Sequence, residues 1–319
     1  MSVSLFTSGS AGQSSWIALL LLGTVLAGCA EFPDAQEPDD CSLQHQVAIE
    51  VTMTRNVPVV PAIINGQQAR LVLDTGSTRT VLSSNGVQRL QLPLDWRMFT
   101  VSSGIGGSER KPLPDVKTLA IGGFAIREPA LGGGTVPWPF KSPPPDGRLG
   151  NDILAQHDVD LNLGRGRMNW YRARRCEQAT PAWMEPHAVL PMRRGEAARG
   201  LFTIPVEIDG QTLTAAVDTG AEFTAIGTRA ATSLGITGEM LDQDRKATVI
   251  AIGGNAPGAH LHRFRLMSVG GIAMTEPDLL VLNLPPEAGD MLLGADFLRR
   301  HRVWFSYAAR RMFISRGPG

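Results

Sequence analysis

The stretch LVLDTGSTRT, Leu71–Thr80, is answered 144 residues later by AAVDTGAEFT, Ala215–Thr224. Alone, an apolar run ending in Asp-Thr-Gly is an ordinary strand meeting a turn. Its recurrence is not ordinary, because the preceding residues recur too. Asn65-Gly66 sits nine residues before Asp74, and Asp209-Gly210 nine before Asp218. Both dipeptides suit a two-residue hairpin with positive φ. Each copy therefore opens as strand, hairpin, strand, Asp-Thr-Gly.

The echo runs on through the chain. Leu90 answers Leu234 at the same offset, which widens to 147 at Gly106-Gly107 against Gly253-Gly254 and to 148 at Gly122-Gly123 against Gly270-Gly271. It returns to 144 for Leu149-Gly150 against Leu293-Gly294 and for His157 against His301. Compensated slips of this kind are what small length changes in surface loops produce in two copies of one fold. The copies bound two lobes, at 43–176 and 200–319. The Pro-rich segment 177–199 reads as an extended linker without a fold of its own. Short strand-like runs punctuated by Gly, Pro, Asn and Asp favour an all-β class. Thirty Lys and Arg balance thirty Asp and Glu, without the basic footprint of a nucleic-acid binder.

The N-terminal residues 1–28 read as a signal peptide with an apolar core from Trp16 to Leu26, too short to cross a bilayer comfortably. Leu26-Ala27-Gly28-Cys29 resembles a bacterial lipobox, which makes Cys29 the expected lipidated residue and 29–42 a tether. No Lys or Arg precedes Cys29, so ordinary secretion and an uncleaved anchoring helix stand as alternatives. Of the three cysteines, lipidation leaves Cys41 and Cys176 as a candidate disulfide bracketing the first lobe; the alternative is two separate buried thiols. The expected location is the cell envelope, facing the periplasm.

Three paired motifs carry a family resemblance: LVLDTGS and AAVDTGA, SGIGGSE and AIGGNAP, RLGNDIL and LLGADFL. Together they resemble the retropepsin-like aspartic peptidases, with both copies in one chain. The resemblance implies two β-barrel lobes about a pseudo-twofold axis, Asp74 and Asp218 meeting as catalytic residues at the interface, and an internal pseudo-dimer active as a monomer. It implies that Thr75 and Thr219 reach across the axis, and that Gly76, Ser77, Gly220 and Ala221 complete the two active-site loops. By the same resemblance Ile105, Gly106 and Gly107, with Ile252, Gly253 and Gly254, form flaps over an extended peptide substrate. No cofactor or metal is implied.

The chemistry of a paired carboxylate stands without the family. Two carboxyl groups in contact cannot both ionise, so they share a proton; the aspartic protease dyad is itself the standard worked case. The ionised member takes a proton from water and the protonated member donates to a carbonyl oxygen. Ser77 follows the first Asp-Thr-Gly and Ala221 the second. A Ser77 hydroxyl donating to Asp74 would favour the ionised form of Asp74. Asp152 and Asp296 read as helix-start residues, and His157 and His301 as packing residues. The reading is an aspartic endopeptidase; the alternative is an inactive envelope protein that binds peptides or serves structurally.

Overall fold

The computed structural model describes residues 42–174, 180, 181, 183, 185–195 and 200–317. Cys29, Cys41 and Cys176, with the signal peptide and most of the tether, lie outside them. Strand makes up 54% and helix 11%, in two β-sheet lobes.

The two turns that open the repeats fold as their dipeptides dictate. Asn65 and Gly66 have φ of 48° and 80°, Asp209 and Gly210 of 50° and 87°, and they join Val57–Ile64 to Gln67–Leu73 and Phe202–Ile208 to Gln211–Val217. Asn65 Oδ1 accepts the N–H groups of Lys117 and Thr118, and Asp209 Oδ1 those of Arg265 and Leu266, so each turn also anchors a later hairpin.

Along Gln67–Leu73 exposure alternates at first and ends in three buried residues; Gln211–Val217 does the same. Each strand thus enters the interior as it reaches its aspartate. There Gly147–Leu149 runs parallel to Gln67–Leu73 and antiparallel to Val81–Ser83, while Met291–Leu293 does the same between Gln211–Val217 and Ala225–Gly227. A strand threaded between the two arms of a loop fixes that loop from behind.

A six-stranded sheet joins the lobes, in the order Ser42–Glu50, Arg167–Arg174, Asp158–Asn162, Arg302–Ser306, Arg311–Ser315, His187–Pro191. At its centre Val159 faces Phe305, Asp160 faces Trp304 and Leu161 faces Val303. At an offset of 144, Asp160 and Trp304 are each other's counterparts, so the pseudo-twofold axis passes through that pair. Isologous pairing of this kind is what a symmetric dimer interface shows, here within one chain. The segment expected as an unfolded linker contributes His187–Pro191 to this sheet and Arg193–Arg194 to the second lobe. Its alternating residues Ala188 and Leu190 are buried, and that burial against the sheet overrides the turn bias of its prolines.

Leu94–Gly104 and Gly107–Pro114 form a separate two-stranded hairpin, whereas Arg245–Ala251 and Gly254–Arg263 continue into the second-lobe sheet through Asp278–Leu282. Among the described residues, no helix is long and apolar enough to cross a membrane.

Candidate active site

Asp74 and Asp218 lie at the ends of equivalent buried strands, and the loops that follow them interlock. Thr75 N–H donates to Thr219 Oγ1 and Thr219 N–H to Thr75 Oγ1, both at 3.0 Å. Each hydroxyl in turn donates to the opposite strand, Thr75 to the Val217 carbonyl at 2.8 Å and Thr219 to the Leu73 carbonyl at 2.7 Å. Both threonines are buried. Four hydrogen bonds therefore hold the loops at one separation. A Cβ on Gly76 would overlap the Asp218 carboxyl, and one on Gly220 the Asp74 carboxyl, so only glycine admits each loop so close to the opposite aspartate.

The support behind the loops is also paired. Asp74 N–H donates to the Leu149 carbonyl and Asp218 N–H to the Leu293 carbonyl, both at 3.0 Å. Asp152 Oδ1 accepts the N–H and hydroxyl of Thr80, and Asp296 Oδ1 those of Thr224. The same hydroxyls accept from Gly150 and Gly294 N–H. As the sequence suggests, these two aspartates stand in the first turns of short helices, Asn151–Leu154 and Ala295–Leu298, and from there they also tie the far end of each active-site loop to the strand behind it. His157 stacks on Trp170 with ring centroids 5.0 Å apart, as a packing residue does.

The carboxyl environments differ. Asp74 is buried and faces the guanidinium of Arg148, itself buried, at 3.5 Å. Burial raises the Asp74 pKa, while Arg148 and the hydrogen bond shared with Asp218 oppose the rise. Asp218 is half-buried, and its Oδ1 accepts the N–H groups of Gly220 and Ala221 at 2.9 and 3.1 Å. Desolvation and then the charge of Asp74 push it up to about 7, and the hydrogen bond shared with Asp74 adds to the rise. The cation beside Asp74 favours charge on that member, and the upward push on Asp218 favours the proton there.

The Ser77 hydroxyl is not the source of that bias. It donates to the Arg79 carbonyl at 2.8 Å, because the turn offers a local acceptor two residues on. Arg148 supplies the asymmetry. Its second-lobe counterpart at an offset of 144 is Leu292, and comparing RLG with LLG position by position is the signal that exposes it. Asn151 is a second such residue: its side-chain amide donates to the Thr75 carbonyl at 2.6 Å, and Tyr307 O–H donates to its Oδ1 at 3.3 Å, where the second lobe has Ala295.

The two hairpin tips meet above the dyad's lobes. Gly106 N–H donates to the Ile252 carbonyl at 3.0 Å, and added Cβ atoms on Gly106 and Gly253 would collide with the backbone of Gly254 and Gly107 respectively. Ile105 packs on an apolar cluster of the second lobe. The structure thus brings together Ile105, Gly106, Gly107, Ile252, Gly253 and Gly254. Among the described residues, no group of three or more His, Cys, Asp or Glu side chains is placed to hold a metal ion.

Two β lobes closing on interlocked Asp-Thr-Gly loops define an acid-peptidase scaffold. The chain belongs to the aspartyl protease family: the family model matches it twice, over residues 60–153 and 204–297. Basic 7S globulin from soybean is similar in fold, with a TM-score of 0.51 at 10% identity over 87% of this chain and 96% of that one. A comparison with curated proteins found no match.

Proposed function

We propose that the chain is an aspartic endopeptidase that cuts an extended peptide held between the two lobes. The observation that carries this reading is the pair of carboxyls in one hydrogen-bonded contact with opposite surroundings, a cation beside Asp74 and a carboxyl pushed up to about 7 at Asp218. Asp74 takes a proton from the attacking water as its oxygen bonds to the scissile carbonyl carbon, and Asp218 donates its proton to the carbonyl oxygen. The tetrahedral intermediate then collapses, the C–N bond breaks, and a proton passes from the dyad to the leaving amine. The hairpin tips exclude water and supply backbone groups along the peptide.

Incubating the purified chain with a peptide library tests the reading. Asp74→Asn and Asp218→Asn are each expected to lower kcat/KM by about a thousandfold or more while unfolding as cooperatively as the parent. Near-parental turnover in either variant refutes the dyad. Export and lipidation at Cys29, with the chain working as a monomer facing the periplasm, complete the proposal on the strength of the N-terminal sequence. Loss of lipid labelling in Cys29→Ser checks the anchor.

A further inference from the structure

The strands beside the two aspartates are built at matching register from unlike residues. Arg148 pairs with Val72 and Val81 as Leu292 pairs with Ala216 and Ala225. The strand beside them is Gly132–Gly134 in the first lobe, paired to Val81–Ser83 as Leu280, Val281 and Leu282 are to Ala225–Gly227. In the hairpins, Thr100 stands where the second lobe has Ala247, at their 147-residue offset. Leu292, Leu282 and Ala247 join one apolar cluster in the second lobe. In the first lobe the same places hold a guanidinium, backbone and a hydroxyl.

Both of those polar groups are unfinished. Arg148 is 5% exposed and Thr100 8%, and among the described residues neither Arg148 Nε nor Thr100 Oγ1 has a hydrogen-bond partner. Arg148 gives only Nη1 to Asp74. Its Nη2 lies 3.5 Å from where a Cβ of Gly134 would be, and Thr100 Oγ1 lies 2.7 Å from where one of Gly132 would be, so the glycine strand is what admits both. The Nε and Nη2 edge of a guanidinium can hold a carboxylate through two parallel hydrogen bonds. Buried donors left unpaired are costly, and a ligand carboxylate that reached them would recover that cost. The nearby Glu109 is already engaged by the N–H and hydroxyl of Thr135.

We propose that the first-lobe half of the cleft is a subsite for a carboxylate side chain, Asp or Glu, and that the second-lobe half takes an apolar one. The pseudo-twofold axis that exchanges Arg148 with Leu292 also exchanges the two residues flanking a peptide bond centred on the dyad. A substrate therefore carries an acidic residue on one side of the cut and an apolar residue on the other. Arg148 is a specificity residue here, and the inference rests on the peptidase reading above.

The test uses the full chain and fluorogenic peptides identical except for Glu, Gln or Leu at each flanking position. Glu on one side with Leu on the other is expected to raise kcat/KM over the Gln peptide by on the order of tenfold to a hundredfold. Arg148→Leu, which copies the second lobe, should abolish that ratio and improve peptides apolar on both sides. Thr100→Val leaves the Asp74 ion pair in place and should lower the ratio several-fold without moving the pH profile. Equal use of Glu and Gln peptides by the parent, or an unchanged ratio in Arg148→Leu, overturns the subsite. Binding of the same labelled peptides to Asp218→Asn, read by fluorescence anisotropy, separates the two proposals. If nothing is cut, the peptidase reading falls, and the Glu-over-Gln binding ratio still decides the subsite: a clear preference supports it and none refutes it.

Discussion

The two active-site loops are alike in backbone and unlike in charge. Thr75 and Thr219 make mirror-image hydrogen bonds, Leu149 and Leu293 accept equivalent backbone N–H groups, and Asp152 and Asp296 brace Thr80 and Thr224 in the same way. Yet Arg148 faces one aspartate where Leu292 occupies the matching place. Symmetry survives where two copies must hold each other. It is lost where each copy meets the shared proton or the peptide. A homodimer cannot separate these demands, because any change appears twice; a fused chain can place a cation on one side only.

The threonine lock is the largest effect to test. Thr75→Val and Thr219→Val keep the shape but strand a buried N–H and a buried carbonyl across the interface. Each is expected to cost roughly 2–4 kcal/mol in urea unfolding, and the two should agree within about 1 kcal/mol. A larger gap would show that the lock is less symmetric than its geometry.

The proton itself gives a smaller, pH-dependent effect. The folded-state pKa of Asp218 is raised to about 7, above the ordinary aspartate value of 3.8. Between those values the folded state holds a proton that the unfolded state has lost, so this group lowers stability progressively as pH rises through the window. Asp218→Asn removes the titration. Its melting temperature should therefore gain on the parent as pH rises from about 4 to about 7, by on the order of a few degrees, and hold that lead above. A gap that is constant with pH would place the proton elsewhere.

Much of this was legible in the sequence because the turn chemistry and the burial of the strands are local. Asn65-Gly66 and Asp209-Gly210 announce their hairpins, and the Asp-Thr-Gly echo announces the pairing of the lobes. The strand at His187–Pro191 was hidden because its hydrogen-bond partner, Arg311–Ser315, lies more than a hundred residues away and prolines at both its ends read as a linker. Arg148 was hidden because a guanidinium beside Leu-Gly reads as one more member of a motif. Only the register of Gly147–Leu149 between its neighbours turns it toward Asp74. Ser77 misled for the reverse reason: sequence adjacency to the aspartate suggested a hydrogen bond that the Arg79 carbonyl takes instead.

That last pair allows the sharpest comparison. With Asp74 ionised and Asp218 protonated, activity should fall as pH rises through about 7, where Asp218 loses its proton, and fall again where Asp74 gains one. Arg148→Met removes a cation that favours ionisation of the pair, so both limbs of the pH–kcat profile should move to higher pH, by roughly one unit. Ser77→Ala removes a hydroxyl that touches the Arg79 carbonyl and neither carboxyl. It should cost up to about 1 kcal/mol of stability and leave both limbs in place. An acidic limb that moves in Ser77→Ala and stays in Arg148→Met would return the asymmetry of the dyad to the loop's own hydroxyl and remove Arg148 from it.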